Sequence, residues 1–527
     1  RRPREKASAD RRCAVILHSE GGINRYYLQT LCMVFFPGAT FGENEVPRED
    51  VPEVFVNVYP DGDLAYTAYV RIHLNDKVSE GVETVTADEQ VTIATHASIA
   101  VGRAMFTAGK ELLGHIPPWG ILTGIRPAKV ASGLLYSGKG ILKSKRILRD
   151  EYFLNPQKAA LAVSVASNEM KLLKRVSPEG CSVYISIPFC PSRCAYCSFV
   201  SYTNKKLLSL IDEYIDTLLA DIDDTFATAK EVGLQVRTVY IGGGTPTILS
   251  PQQLARLLGR ITENIDPACF AEFTLEAGRP DTITEEKLAV AKKYGVTRIS
   301  VNPQTLNDDV LREIGRRHTV ADFYTAYRIA KESGIRDINV DLIAGLPGDD
   351  FKSFSETVDR IIELAPTNLT VHTFCVKKAA DVLKQHTDIY SLSGGDAAKS
   401  VSYAQLKTKF AGYKPYYMYR QKNTVGNLEN VGFALEGHEG LYNVFMMEEV
   451  QSIFAIGAGA VTKLVRRPPT RDGKSDGKIE RIFQPKYPYE YLRDAETLRK
   501  GDPERNIPSR RERVLAFFGA TAAEKKE

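Results

Sequence analysis

The rhythm of apolar positions changes near residue 180. From there to about residue 375, short runs rich in β-branched and aromatic residues alternate with longer stretches whose apolar residues recur at helical spacing. Strands are expected at Ser182–Pro188, Val236–Gly243, Ala271–Ala277, Arg298–Gln304, Asp337–Leu346 and Asn368–Cys375. Helices are expected over about 205–231, 251–265, 284–294, 320–333 and 351–364. Such alternation implies a parallel sheet with right-handed crossovers. Six units without two more point to an open, partial barrel, an α/β fold whose chemistry sits at the C-terminal ends of its strands.

On either side the rhythm is mixed. Cys13–His18 and Arg25–Phe35 read as strands split by Gly21-Gly22, and Val54–Val58 and Leu64–Leu74 alternate around the turn Pro60-Asp61-Gly62. Thr86–Glu111 has helical spacing and stops before Gly114. Pro117–Pro127 carries the only tryptophan, Trp119; its prolines and glycines make it an interdomain elbow, with the lining of a site as the other reading. Helical stretches at about 127–137 and 156–175 lead to a domain boundary at Pro178-Glu179-Gly180. Beyond 376 come a helix around 396–411, the run Pro415–Arg420, a helix around 446–454, a small-residue turn at Ala455–Ala460 and a charged, Pro- and Gly-bearing loop at 466–480. The expected organisation is an added α+β N-terminal domain (1–178), the partial (β/α)6 barrel (179–376) and a smaller mixed C-terminal domain (377–527).

Composition narrows the class. A chain of 527 residues is too long for one ordinary core. Sixty-nine basic against 65 acidic residues is too balanced to argue for nucleic acid. No apolar stretch reaches the roughly 18 residues of a membrane span, and no secretory signal pattern opens the sequence. Cys13, Cys32, Cys181, Cys269 and Cys375 are scattered and read as reduced core thiols, which suits the cytoplasm.

The chemistry gathers at the strand ends. Cys190, Cys194 and Cys197 follow the first barrel strand at spacing C-x3-C-x2-C. Thiolates hold iron–sulfur clusters, usually in fours, so three would leave one iron of a [4Fe–4S] cluster open to a substrate. Structural zinc needs four ligands, commonly as paired C-x2-C groups, and there is no second pair. Gly242-Gly243-Gly244-Thr245 follows the second strand, Glu276 ends the third, Gln304 ends the fourth and Asp341 lies within the fifth. Their shared position argues for one site.

With Tyr196 immediately before the last cysteine, and Gly242–Thr247 one strand later, the chain resembles the radical S-adenosylmethionine (radical SAM) enzymes. Within them it is most similar to the oxygen-independent coproporphyrinogen III oxidase group. The resemblance is carried by Tyr184–Cys190, Tyr240–Thr247, Arg298–Gln304, Gly315–His318 and Asp341–Gly348. The extra N-terminal domain with Thr123–Pro127, and Tyr417–Asn423, resemble its HemZ branch. The resemblance implies that Cys190, Cys194 and Cys197 hold the cluster. It implies that Tyr184, Gly243 and Glu276 contact S-adenosylmethionine, as do Tyr196, Gly244, Thr245, Gln304, Arg316, Asp341 and the backbone near Cys375, with Tyr184 and Glu276 as the catalytic pair. It further implies a tetrapyrrole substrate, a small electron donor such as flavodoxin or ferredoxin, and oxidative decarboxylation of coproporphyrinogen III in haem biosynthesis. A haem- or porphyrin-binding protein, and another radical reaction on a tetrapyrrole, stay open.

Three departures bear on that choice. Ser186 stands where the oxidase usually has histidine, and Ser198-Phe199 where it carries a further cysteine. Leu441–Met447 lacks the His-Asn…Tyr-Trp pattern of the haem-chaperone branch, although Met446, Met447 or His438 offer other iron ligands. Tyr413, Tyr416, Tyr417, Tyr419, Arg420 and Lys422 could receive a carboxylated tetrapyrrole; the same run reads equally as an edge strand.

Overall fold

The computed structural model describes residues 14–42, 50–86, 93–124, 126–197, 201–375, 394–421, 424–466 and 477–524. Cys13, Ile125, Ser198, Phe199, Lys422, Asn423 and most of the 466–480 loop lie outside the described residues. The chain divides into two compact units: Arg1–Ala166 with Thr373–Val401 and Met418–Asn430, and Ser167–His372 with Ser402–Tyr417 and Val431–Glu527.

The first unit is built on strands β1 (Ala14–Glu20), β2 (Thr40–Phe41), β3 (Glu53–Pro60), β4 (Ala65–Leu74) and β5 (Lys77–Thr86), in the order β2-β1-β3-β4-β5. β1 runs parallel to β2 and β3, and β3, β4 and β5 are antiparallel. The hairpin at Pro60-Asp61-Gly62 is present, with Pro60 opposite Tyr66. Alternate strand residues Val54, Val56, Val58, Val70 and Ile72 enter a core shared with helices Arg25–Phe35 and Ile93–Leu113.

Two expectations fail here and one helix was not expected. Arg25–Phe35 is a helix, because Asn24 caps it by accepting from the Tyr27 N–H, and Leu28, Leu31, Cys32 and Phe35 fall on one face. Its nearly continuous apolar run hides that period. Thr86 ends β5, which follows an Asn75-Asp76 turn with Asn75 at φ 56°. Helix Gly140–Asp150 is masked in the sequence by its leading Gly140 and its basic residues; Leu148 and Ser144 are its buried positions.

The large sheet contains β6 (Gly180–Ile187), β7 (Gln235–Gly243), β8 (Glu272–Leu275), β9 (Arg298–Ser300), β10 (Asp337–Ala344), β11 (Asn368–Thr373), β12 (Lys414–Arg420), β13 (Glu429–Ala434), β14 (Ile453–Ile456), β15 (Val461–Val465) and β16 (Ile479–Phe483). Their order is β12-β13-β11-β10-β9-β8-β7-β6-β14-β15-β16. β6 to β10 pair in parallel, and β11 lies beside β10. This is the expected partial α/β barrel, with helices Ile211–Glu231, Pro251–Asn264, Glu285–Lys293, Val320–Glu332 and Phe351–Leu364 between the strands. Ser250, Thr284, Thr319 and Asp350 cap the last four, each accepting from the N–H three residues on.

The segment after 376 does not form a body of its own. β14 pairs in parallel with β6, and β13 pairs antiparallel with β11. An open barrel leaves unpaired N–H and C=O groups at both edges, and these strands satisfy them. The turn expected at Ala455 begins inside β14, and the helix expected at 446–454 is Leu441–Glu448. The boundary expected at 178 falls at Ala166/Ser167, inside helix Pro156–Leu173.

Candidate cluster and cofactor site

β6 delivers the cysteine loop. Beyond Ile187, the Cys190 N–H donates to the Tyr202 carbonyl (3.0 Å), and Tyr202 N–H returns to Pro188 O (2.9 Å), so the loop closes on its own stem. Cys190 and Cys194 are buried and Cys197 is half-buried. Burial pushes the Cys190 thiol up, while the Thr245 hydroxyl, 3.3 Å from its Sγ, opposes this. Among the described residues no three His, Cys, Asp or Glu side chains close around a single ion.

The glycine run is fixed by the same strand. Gly244 and Thr245 N–H groups donate to Ile187 O and Phe189 O at 2.8 Å. A Cβ on Gly244 would lie 2.5 Å from Phe189 O, and Gly243 sits at φ +107°. Both positions require glycine for physical reasons, because the run packs directly on the chain that leads from β6 into the cysteine loop.

Three half-buried or buried tyrosines stack beside it. Tyr184 and Tyr240 have centroids 6.1 Å apart, and Tyr442 lies 4.7 Å from Tyr240 and 6.3 Å from Tyr184. Tyr442 is held there because Glu272 accepts from the N–H groups of Leu441 (2.7 Å) and Tyr442 (3.3 Å), capping that helix. Next to the stack, loss of water and then the charge of Asp341 push the Glu276 carboxyl up to about 8, against the Gly243 N–H and the Tyr240 hydroxyl. Burial pushes Asp341 the same way, but His372, Asn339 and Thr370 outweigh it and hold the carboxyl below the usual range. Asn302 and Asn339 donate to its two oxygens at 2.9 and 2.7 Å.

Arg316 is buried and committed. Its Nε and Nη2 donate to the Tyr196 hydroxyl oxygen (3.2 and 2.7 Å), and its Nη1 donates to Gly278 O (3.1 Å) and Asn302 O (3.2 Å). Gln304 adopts φ +73°, unusual for a non-glycine residue, and its Oε1 is buried with no partner. Cys375 belongs to the first unit, where its backbone bridges Thr424.

Among the expected site residues, Cys190 meets Thr245, Arg316 meets Tyr196, and Glu276 interacts with Gly243 and Asp341; Tyr184 and Asp341 lie within β6 and β10, and Arg316 follows helix Asp308–Glu313. Sequence reasoning missed Tyr240, Asn302, His372 and Tyr442. Asn302 stands two residues before the chosen Gln304, and Tyr240 opens the run Tyr240–Thr247 that holds the chosen glycines, so both signals were legible. Arg279 was missed as well; its guanidinium donates to Ser192 and to Cys194 Sγ in the cysteine loop.

Other expectations are corrected. Arg420, Tyr413, Tyr416 and Tyr417 are buried, so Pro415–Arg420 is the edge strand β12 and not an exposed carboxylate-binding face. Arg420 donates to Leu122 O and lies 5.7 Å over the Trp119 ring. Trp119 is itself buried, donating to Glu429 Oε2 at 2.8 Å, so its loop packs the first unit. His438 Nδ1 is engaged with Asp337 Oδ1 at 2.6 Å. Ser186 donates to Ala458 O at 2.9 Å, and the 457–460 turn fills the space beside it. Cys269 is exposed, unlike the buried Cys32 and Cys181.

Three thiols on one loop and the orphaned buried Oε1 of Gln304 fit a [4Fe–4S] cluster with S-adenosylmethionine. The family model of the Radical SAM superfamily matches residues 184–361. The chain belongs to that superfamily, whose cofactors these are. Within it, the chain is similar to the oxygen-independent coproporphyrinogen-III oxidase-like protein HemZ of Bacillus subtilis (strain 168), 39% identical over 382 residues, 72% of this chain and 75% of the relative. The heme chaperone HemW of the same organism is 31% identical over 311 residues, 58% and 77% of the two chains. The solved coproporphyrinogen III oxidase HemN from Escherichia coli aligns with TM-score 0.47 and 21% identity, covering 62% of this chain and 71% of that one.

Proposed function

We propose that the protein is a radical SAM oxidoreductase that converts coproporphyrinogen III to protoporphyrinogen IX without oxygen. The observation that carries this reading is the 39% identity to the HemZ-named relative across 72% of the chain. When bound, the reduced cluster and S-adenosylmethionine supply a 5′-deoxyadenosyl radical that takes a hydrogen atom. The substrate propionate then loses CO2 and passes one electron to a one-electron acceptor, leaving a vinyl group. A flavodoxin- or ferredoxin-like donor in the cytoplasm would supply the reducing electron. Among the described residues no helix is long and apolar enough to cross a membrane.

The chain's own groups have definable tasks. Cys190, Cys194 and Cys197 would hold the cluster. Arg316 spends four N–H donors on Tyr196, Gly278 and Asn302, which locks its plane; its remaining N–H suits a carboxylate. Glu276 holds a proton at neutral pH and releases it when a cation arrives, while Asp341 stays ionised. Tyr184, Tyr240 and Tyr442 form an aromatic wall that excludes water.

The second reading, a haem- or porphyrin-binding protein, is supported by the HemW relative at 31% identity. One experiment separates the two: anaerobic incubation of reconstituted protein with reductant, S-adenosylmethionine and coproporphyrinogen III, followed by mass spectrometry. Two successive losses of a carboxyl group support the oxidoreductase. Tight haem binding with no decarboxylation supports the binding protein, and a different mass change supports another radical reaction.

A further inference from the structure

We infer that Arg279 is a positioning residue of the cluster loop, one that sets the cluster's reduction potential through a hydrogen bond to the Cys194 sulfur. The inference rests on the cluster assignment and not on the identity of the substrate.

Arg279 lies three residues beyond Glu276, in the loop after β8, and is 3% exposed. A guanidinium has five N–H donors in a rigid fork, and here five acceptors surround it. Nε donates to Asp281 Oδ1 (3.0 Å), and Nη2 to Asp281 Oδ2 (3.2 Å) and Ser192 Oγ (3.0 Å). Nη1 donates to Ser192 O (3.3 Å) and to Cys194 Sγ (3.6 Å). Asp281 therefore fixes one edge of the fork and presents the rest to the cysteine loop between its first two thiols. The backbone is equally fixed. Arg279 O accepts from the Thr282 N–H (3.0 Å) and hydroxyl (2.8 Å), and Thr282 Oγ1 lies 2.6 Å from Thr247 Oγ1 in the glycine run. Ser192 continues the chain of contacts, its hydroxyl donating to Gly315 O at 3.4 Å.

Hydrogen bonds to cluster sulfurs tune reduction potential. Reduction adds one electron to a thiolate-bound cluster, so a positive donor at a sulfur favours the reduced form and raises the potential. Lysine cannot replace the fork, because it lacks the planar geometry that serves Asp281, Ser192 and Cys194 together. A plain structural clamp would use Asp281 and Ser192; the donation to sulfur is what adds an electronic effect.

The test is the midpoint potential of the anaerobically reconstituted full chain, read by EPR-monitored redox titration without substrate, with iron content measured alongside. Arg279→Met is expected to shift the potential negative by about tenfold in the one-electron equilibrium, about 59 mV. Asp281→Asn, which leaves the guanidinium charge uncompensated, is expected to shift it positive. Opposite signs at wild-type iron content support the inference. An unmoved potential in Arg279→Met, or the same sign in both variants, overturns it. If Arg279→Met loses iron, Arg279→Lys decides: a potential below wild type supports the inference, and equality overturns it. Should Arg279→Lys also lose iron, Asp281→Asn decides alone, a positive shift supporting and an unmoved or negative one overturning. Failure of the wild type itself to hold iron would count against the cluster assignment and is a distinct result.

Discussion

Burial, and after it the charge of Asp341 beside it, pushes the Glu276 carboxyl up to about 8, while Asp341 is held below the usual carboxylate range. Water is lost around both, yet His372, Asn339 and Thr370 stabilise the Asp341 carboxylate, and its charge then helps push Glu276 up to about 8. Two carboxyl groups of like chemistry are thereby set to different tasks by their neighbours.

This pair predicts a pH signature of cofactor binding. If Glu276 faces the cofactor's ammonium, binding of S-adenosylmethionine near pH 7 should release close to one proton, and release should fade above pH 8 as the free carboxyl ionises. Calorimetry in buffers of different ionisation enthalpy reads this directly; proton-neutral binding at pH 7 would reassign Glu276 to the ribose diol. The stability effect has a definite sign. A carboxyl raised from 4.5 to about 8 on folding contributes fully below 4.5, and that contribution is lost as pH climbs to about 8. Apo Glu276→Gln should therefore gain thermal stability relative to wild type at pH 8 and lose that advantage below pH 5.

Arg316→Ala and Asp341→Ala should retain the cluster and lose 5′-deoxyadenosine formation. A charged hydrogen bond is worth roughly 1.5–3 kcal/mol, so S-adenosylmethionine affinity should fall about tenfold to hundredfold. Equilibrium dialysis against the reconstituted variants checks it, and wild-type affinity in both would remove these residues from the site.

Much of this was legible because it is local. Parallel strands buried on both faces leave apolar runs, and their caps, Ser250, Thr284, Thr319 and Asp350, mark the helix starts in plain letters. What failed is non-local. Arg420 looked like a substrate ligand because its burial depends on Leu122, 298 residues away, and on Trp119. Ala455-Ile456 looked like a turn because its strand character comes from pairing with Tyr184-Ile185. Tyr442 joined the aromatic stack only through Glu272, 170 residues earlier.

Arg420 should accordingly behave as a structural residue. Arg420→Ala removes a buried cation stacked on Trp119 and frees the Leu122 carbonyl, at a cost of about 1–3 kcal/mol. Thermal unfolding should show the loss, while S-adenosylmethionine cleavage per folded, cluster-bearing chain stays at the wild-type rate. A folded variant with impaired cleavage would return Arg420 to the site.

Asp221 should be a costly position to change. Its fully buried carboxylate receives Arg510 (2.9 and 2.5 Å), Arg499 (2.9 Å) and the Tyr491 hydroxyl. Removing one partner of a buried ion pair costs about 3–5 kcal/mol, so Asp221→Ala should unfold at markedly lower denaturant. Adding Arg510→Met should recover part of the loss; a double variant no better than the single would show that the ion pair is not the source.

The most direct measurement is iron content together with the EPR spectrum of the reduced, anaerobically reconstituted chain, before and after S-adenosylmethionine. The account predicts about four irons per chain, lost in Cys190→Ala, Cys194→Ala and Cys197→Ala but not in Cys32→Ala or Cys269→Ala, and a spectrum that changes when the cofactor is added. Stoichiometric zinc, or an iron signal indifferent to S-adenosylmethionine, would contradict it.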